Sequence, residues 1–177
     1  MTQQTVRNET LLYLEDLHVG QRFVTGSHAM NEGEIKAFAA QFDPQPFHLD
    51  DAAAKTSLFG GLAASGWHTA AITMRLLVEG GAPIAGGIIG TCGHITWPRP
   101  TRPGDVLTVE SEVLDITPSV AKPVRGLVTM RSETRNQRGE AVQIASFKLV
   151  VPRRAPYAAR TGSQSRTSAM EQAKSIA

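Results

Sequence analysis

Asp43 and His48 are the residues of this chain whose types and spacing are best suited to chemistry. They stand five apart in the run Phe42-Asp-Pro-Gln-Pro-Phe-His-Leu-Asp50. A carboxylate and an imidazole can together hold a water molecule, take a proton from it and return a proton elsewhere. The segment is stiffened by two prolines. Asp43 and Gln45 each precede a proline, which pushes both out of the helical region toward extended geometry. Asp43 is therefore expected to end a helix, and His48 to follow after a short rigid excursion. Neither is placed as an ordinary residue inside a regular helix, and the tertiary fold must decide whether the two side chains converge.

The elements around them follow from periodicity and punctuation. Val19-Gly20 reads as a turn before a strand near 21–30. Asn31, with Glu34 three residues on, has the pattern of a capping box and starts a helix running to about Phe42. Its inward side would be Ile35, Phe38, Ala39 and Phe42. Asp50-Asp51-Ala-Ala-Ala-Lys55 opens a second short helix, with acids favourably placed in its first turn. After a Gly- and Ala-rich connection, Ser57–Ser65, comes the longest helical signal. There Trp67, Ala70, Ala71, Met74, Leu77 and Val78 recur at helical spacing. Gly80-Gly81 ends this helix and Pro83 prevents its continuation. It carries only Arg75 and Glu79 as charges, so it is expected to be largely buried. The glycines that follow lack the Lys-Ser/Thr ending of a phosphate loop and read as a flexible link.

The second half is strand-like: Ile88–Trp97, Asp105–Thr117, Val124–Thr134 and Ala141–Val151, the last two joined by the turn Asn136-Gln-Arg-Gly139. In Asp105–Thr117, Val106, Thr108, Glu110, Glu112 and Leu114 alternate with Leu107, Val109, Ser111, Val113 and Asp115. Strands segregated after a helical region imply an α+β fold, with an antiparallel sheet packed on the long helix.

A chain of 177 residues, 41% hydrophobic, fits one domain with a tail. Residues 153–177 hold five basic side chains and one acid, whereas residues 1–152 hold 13 basic and 15 acidic ones, a formal charge of −2. The folded body is thus not a basic nucleic-acid binder. Residues 1–10 read as a flexible N-terminus and 153–177 as a disordered basic tail. No segment is apolar enough to span a bilayer, and residues 1–10 lack a secretory h-region. The single cysteine, Cys92, rules out an internal disulfide and suits a reducing compartment, so cytoplasmic residence is expected.

Three motifs in order now carry a resemblance. They are the Asp43/His48 run, then Phe59-Gly-Gly-Leu-Ala-Ala-Ser-Gly-Trp-His68, then Trp97-Pro-Arg-Pro-Thr-Arg-Pro-Gly-Asp105. Over about residues 11–152 the chain resembles the MaoC-like dehydratases, which include the (R)-specific enoyl-CoA hydratases and have the hotdog fold. The usual form of the first motif is Gly-Asp-x-Asn-Pro-x-His. Here Phe42 replaces the Gly and Gln45 the Asn, while Asp43, Pro46 and His48 match.

The resemblance implies a curved antiparallel sheet around a central helix, here about Gly66–Gly80. It implies Asp43 and His48 as the catalytic pair and the Gly66 N–H as the group that binds a thioester oxygen. That role suits an unpaired N–H at the positive end of a helix. Ser65 and Trp67 beside it are candidate substrate-binding residues. Arg99 and Arg102 either bind a carrier's phosphate or brace their loop. The substrate would be an acyl-CoA or acyl-carrier-protein thioester, with no metal and no redox cofactor, and the chain would form a homodimer. A hotdog thioesterase and a non-catalytic acyl-thioester binding module are the alternatives.

For Asp43 and His48 the bland alternative is a capping Asp and a surface His, and for Ser65 an N-cap alone. His68, one turn into the long helix, reads as a packing residue rather than a catalyst. Cys92 and His94 share one strand face, but a lone cysteine taken as buried is inert, so a thiol nucleophile is set aside. The five histidines show no short metal-ligand spacing.

Overall fold

The computed structural model describes residues 10–154. The reading of residues 1–9 as loose and of residues 155–177 as a disordered tail lies outside them. Five strands form one antiparallel sheet: β1 (Arg22–Ala29), β2 (Gly90–Thr96), β3 (Val106–Pro118), β4 (Arg125–Arg135) and β5 (Ala141–Pro152), in the order β1-β3-β4-β5-β2. The helices are α1 (Glu32–Phe42), α2 (Pro46–Leu49), α3 (Asp51–Lys55) and α4 (Gly66–Gly80). Among the described residues all four α-helices fall between β1 and β2, as the order of signals implies, and a single 3-10 turn, Leu14–Asp16, precedes β1.

Local chemistry sets the boundaries. The Asn31 side chain accepts from Glu34 N–H at 2.9 Å while Glu34 reaches back to Asn31, so the capping box that opens α1 is complete. Asp50 caps α3 by accepting from Ala53 N–H at 2.8 Å. Ser65 caps α4 through Trp67 N–H, and Gly81 closes it. The hairpin between β4 and β5 turns on Gly139, whose φ of 76° is the left-handed region that glycine occupies without strain.

The sheet curves around α4. Ile72 and Leu76 of the helix pack with Ile35, Leu107, Val109 and Val142 into one buried cluster. Burial in β3 alternates as its sequence does: Leu107, Val109, Ser111 and Val113 point inward. A register shift between Val113 and Asp115 then breaks the alternation. A second cluster, at the other end of the sheet, joins Leu14 and Leu17 to Val113, Val128 and Val151.

Four expectations need correction. In α1, Ile35 and Ala39 are buried but Phe42 is 68% exposed, because it lies in the last turn, beyond the sheet. In α4, the buried face is His68, Thr69, Ile72, Thr73 and Leu76, not the Trp67-to-Val78 stripe. Trp67, Met74 and Val78 are 61%, 43% and 69% exposed. With so few charges on the helix, apolar spacing does not choose which face turns inward. Hydroxyl pairs decide it: Thr69 donates to Thr101 at 2.9 Å, and Thr73 bonds Thr134 at 2.7 Å.

The Gly-rich loop after α4 is also not a free link. Leu12 and Ala85 exchange backbone bonds with it, Leu12 N–H to Pro83 C=O and Ala85 N–H to Leu12 C=O, both at 2.9 Å, and Ile84 is buried. Finally, the first two tail residues are held to the body. Arg153 donates to Glu15 at 2.7 Å, and Arg154 reaches Asp16 at 2.6 Å while lying over the Tyr13 ring. Glu15 is pushed down to about 2 chiefly by the Arg153 hydrogen bond.

Candidate active site

Three chain segments meet at one cleft. The first is the α1–α2 corner. Asp43 is the C-cap of α1, in non-helical geometry, as its proline neighbour dictates. His48 lies inside the single turn of α2, which Pro46 initiates from its first position. The excursion that the sequence implies is therefore a one-turn helix rather than an extended loop. The second segment is the α4 N-terminus, and the third is the loop after β2 that carries Trp97, Arg99 and Thr101.

Asp43 and His48 converge: Asp43 Oδ2 lies 3.4 Å from His48 Nε2. His48 is buried, and its Nδ1 is 2.7 Å from the Ala63 carbonyl. A carbonyl only accepts, so Nδ1 carries the proton and donates. In the neutral ring Nε2 is then an acceptor, facing a carboxylate oxygen that is also an acceptor. That arrangement asks for a proton donor between or beside them, such as water.

Asp43 is tied from two sides. Ser65 Oγ donates to Oδ2 at 2.6 Å, and Gln45 Nε2 donates to Oδ1 at 2.7 Å. Partial burial raises its pKa and is the largest single influence. The hydrogen bonds from Ser65 and Gln45, joined by the positive charge that His48 carries only when its ring is protonated, outweigh it, so the net shift is downward. Burial alone would raise the carboxyl, and the donors around it reverse that effect. Asp43 is thus ionised at neutral pH. Because its folded pKa is depressed, it adds stability above the unfolded value and loses it as pH falls through the folded one.

Gly66 is the first residue of α4, so its N–H has no partner within the helix. Among the described residues it meets no acceptor outside the helix either. The Trp67 N–H, by contrast, is spent on Ser65 Oγ at 3.2 Å. Position 66 needs glycine for lack of space: a Cβ there would lie 2.9 Å from Trp97 Cε2.

The remaining candidates separate. Ser65 is 1% exposed and gives its hydroxyl to Asp43, so it orders the carboxylate instead of facing open space. Trp67 lines the cleft rim, edge-on to Trp97 at 5.4 Å between ring centroids. Arg99 lines the cleft and is loosely paired with Glu140 at 3.8 Å. Arg102 is a brace. Its guanidinium donates to the carbonyls of Phe59, Gly61 and Leu62, at 2.6 Å to Gly61 and 3.0 Å to Leu62, and the residue does not line the cleft. His68 stacks on Phe38 at 4.6 Å, and its Nδ1 is buried and meets no hydrogen-bond partner among the described residues. Burial holds its pKa down, so it packs as a neutral ring. Cys92 is exposed on β2, not buried, and does not line the cleft.

Two contributors escaped the sequence reading. Gln45 was noted only as a departure from the usual motif; its longer side chain reaches back two residues to Asp43. The Ala63 carbonyl, which sets the His48 tautomer, carries no sequence signal at all.

Residues 16–136 match the family model described as the MaoC like domain. The chain belongs to the MaoC-like dehydratase and (R)-specific hydratase family, and its sheet-wrapped helix is the hotdog fold. A MaoC-like dehydratase from Rhodospirillum rubrum is 62% identical, with TM-score 0.81, covering 82% of this chain and 99% of that one. The (R)-hydratase PhaJ1 from Pseudomonas aeruginosa is 29% identical, with TM-score 0.63, covering 80% of this chain and 86% of its own. YdeM of Bacillus subtilis (strain 168), itself described as uncharacterized, is 34% identical over 141 residues, 79% of this chain and 99% of that protein.

Two outcomes are expected from this geometry. Ser65→Ala removes a donor from Asp43, so the carboxyl titration followed by carbon NMR should move to higher pH; an unmoved or lowered midpoint contradicts the electrostatic account. Arg102→Met strands the three braced carbonyls, at about 1–3 kcal/mol for an unsatisfied buried group. Urea unfolding should show a loss of at least about 2 kcal/mol, against about 0.5 kcal/mol or less for the exposed Arg99→Met.

Proposed function

We propose that this chain is an enoyl-thioester hydratase, and in reverse a 3-hydroxyacyl-thioester dehydratase, with (R) stereochemistry on acyl-CoA or acyl-carrier-protein substrates. One observation supports it above the others. Asp43 Oδ2 and His48 Nε2 are two acceptors 3.4 Å apart, with the imidazole proton committed to Ala63. A water that donates one O–H to each fits this pair. The family membership and the (R)-hydratase among its structural relatives point the same way.

In this mechanism the water oxygen attacks C3 of a trans-2-enoyl thioester as Asp43 takes its proton. The C2–C3 π pair moves toward the thioester carbonyl, and the developing oxyanion meets the Gly66 N–H at the positive end of α4. C2 then gains a proton, so the proton that leaves water is replaced at carbon across the Asp43–His48 pair. A low carboxyl pKa makes Asp43 a weak base, and its advantage lies in holding the water at fixed geometry. Behind the cleft, a cavity of about 190 Å³ lined by Met74, Leu77, Ile95 and Phe147 gives an acyl chain an apolar environment. The reaction needs no metal or redox cofactor. Cytoplasmic residence accompanies it, in keeping with the single unpaired Cys92.

Assembly is part of the same proposal. The exposed α4 stripe of Trp67, Met74 and Val78 lies on a helix that also lines the cavity, and β2 is an unpaired edge. A second copy of the chain covers both through a two-fold interface, satisfying the edge and burying the stripe. The thioesterase and binding-module alternatives find no specific support in the site.

Hydration of crotonyl-CoA, followed by loss of the conjugated thioester absorbance, is the direct assay. Asp43→Asn and His48→Ala should each lower kcat/KM by at least about 10²-fold; unchanged turnover in both would falsify the assignment. Light scattering should give a dimer for the full chain and for a chain ending at Arg154. A stable, active monomer in either case refutes the assembly.

A further inference from the structure

Trp97 lines the cleft and is bonded to a wall residue of the apolar cavity, and the water-adding chemistry does not use it. Successive turns of α4 line the two spaces: Gly66 and Thr69 face the cleft, and Thr73 and Leu77 face the cavity. The two spaces share no lining residue. Trp97 bridges them. Its ring covers Gly66, leaving no room there for a Cβ. Its Nε1 donates to Gln143 Oε1 at 2.9 Å, and Gln143 is a 2%-exposed side chain of the cavity wall. The indole is therefore pinned at both ends, by its face on the helix N-terminus and by one hydrogen bond to β5.

We infer that Trp97, tethered by Gln143, is the gate between cleft and cavity and sets the length of acyl chain the site accepts. This rests on the enoyl-thioester reading above. A carbonyl bound at the Gly66 N–H lies under the indole, so a short acyl chain stays within the cleft. A longer chain reaches the cavity only by displacing the ring, which breaks the Trp97–Gln143 bond and strands a buried amide oxygen. That cost falls on long chains alone, so it discriminates by length and not by chemistry. The cavity's own hydroxyls do not oppose an alkyl chain, because Thr73 is paired with Thr134 and Ser111 with Ser132. Trp97 is on this account a specificity-determining residue that moves no proton.

The test uses the full-length protein and the variants Trp97→Ala, Trp97→Phe and Gln143→Met. Each is titrated calorimetrically with butyryl-CoA and octanoyl-CoA, saturated thioesters that undergo no hydration. Trp97→Ala should raise the octanoyl-to-butyryl affinity ratio by at least about tenfold, with Trp97→Phe intermediate. Gln143→Met keeps the indole and removes only its tether, and should shift the ratio the same way by about threefold; it carries the test if Trp97→Ala does not fold. An unchanged ratio in the folded variants overturns the gate. Parallel rates with crotonyl-CoA and trans-2-octenoyl-CoA separate the two ideas. A shifted binding ratio without hydration keeps the gate and refutes the hydratase, while hydration with an unshifted ratio does the reverse. A protein that binds neither thioester overturns both.

Discussion

The Ser65 hydroxyl holds this site together. It donates to the Asp43 carboxylate at 2.6 Å and accepts from the Trp67 N–H at 3.2 Å. One oxygen thus ties the end of α1 to the start of α4, across 22 residues of sequence. A capping interaction of this kind contributes about 1 kcal/mol to a helix. Its larger consequence is geometric. With the Trp67 N–H taken by Ser65, the Gly66 N–H is left free at the helix terminus, next to a carboxylate whose orientation is already set. The acceptor pair and the free donor are parts of one hydrogen-bonded arrangement, which is why they open into the same cleft.

Two further constraints hold that arrangement in register. The Arg102 brace gathers three carbonyls of the 59–62 segment, and the next residue presents the Ala63 carbonyl to His48. The orientation of α4 about its axis is set by hydroxyl pairs. Thr69 with Thr101 and Thr73 with Thr134 place polar atoms inside the fold, where each must be satisfied. A helix rotated to bury Trp67, Met74 and Val78 would strand these hydroxyl partners. The apolar stripe is left facing outward.

The elements themselves were legible because their causes are local. Asn31 with Glu34, Asp50 before an alanine run, and Ser65-Gly66 before an apolar stretch each carry their own cap. The limits of α4 are those which Gly66 and Gly80 imply. The alternation in β3 announced its inward residues until the bulge near Leu114 broke the period. The face of α4 was not legible, since both faces are apolar enough and the threonines that decide it find partners 32 and 61 residues away.

The same division runs through the site. By itself the sequence determined which residue types were available and that prolines hold Asp43 and Gln45 out of helical geometry, because these depend on covalent structure and near neighbours. Tertiary structure decided their use. It brought Asp43 within 3.4 Å of His48, fixed the imidazole proton through the Ala63 carbonyl, and turned the rise that burial alone would give the Asp43 pKa into a fall. It also spent Arg102 on backbone carbonyls and tied Trp97 to Gln143 of the cavity wall. Hydrogen-bond partners and the balance of burial against donors are properties of groups distant in the chain, so only the folded arrangement specifies them.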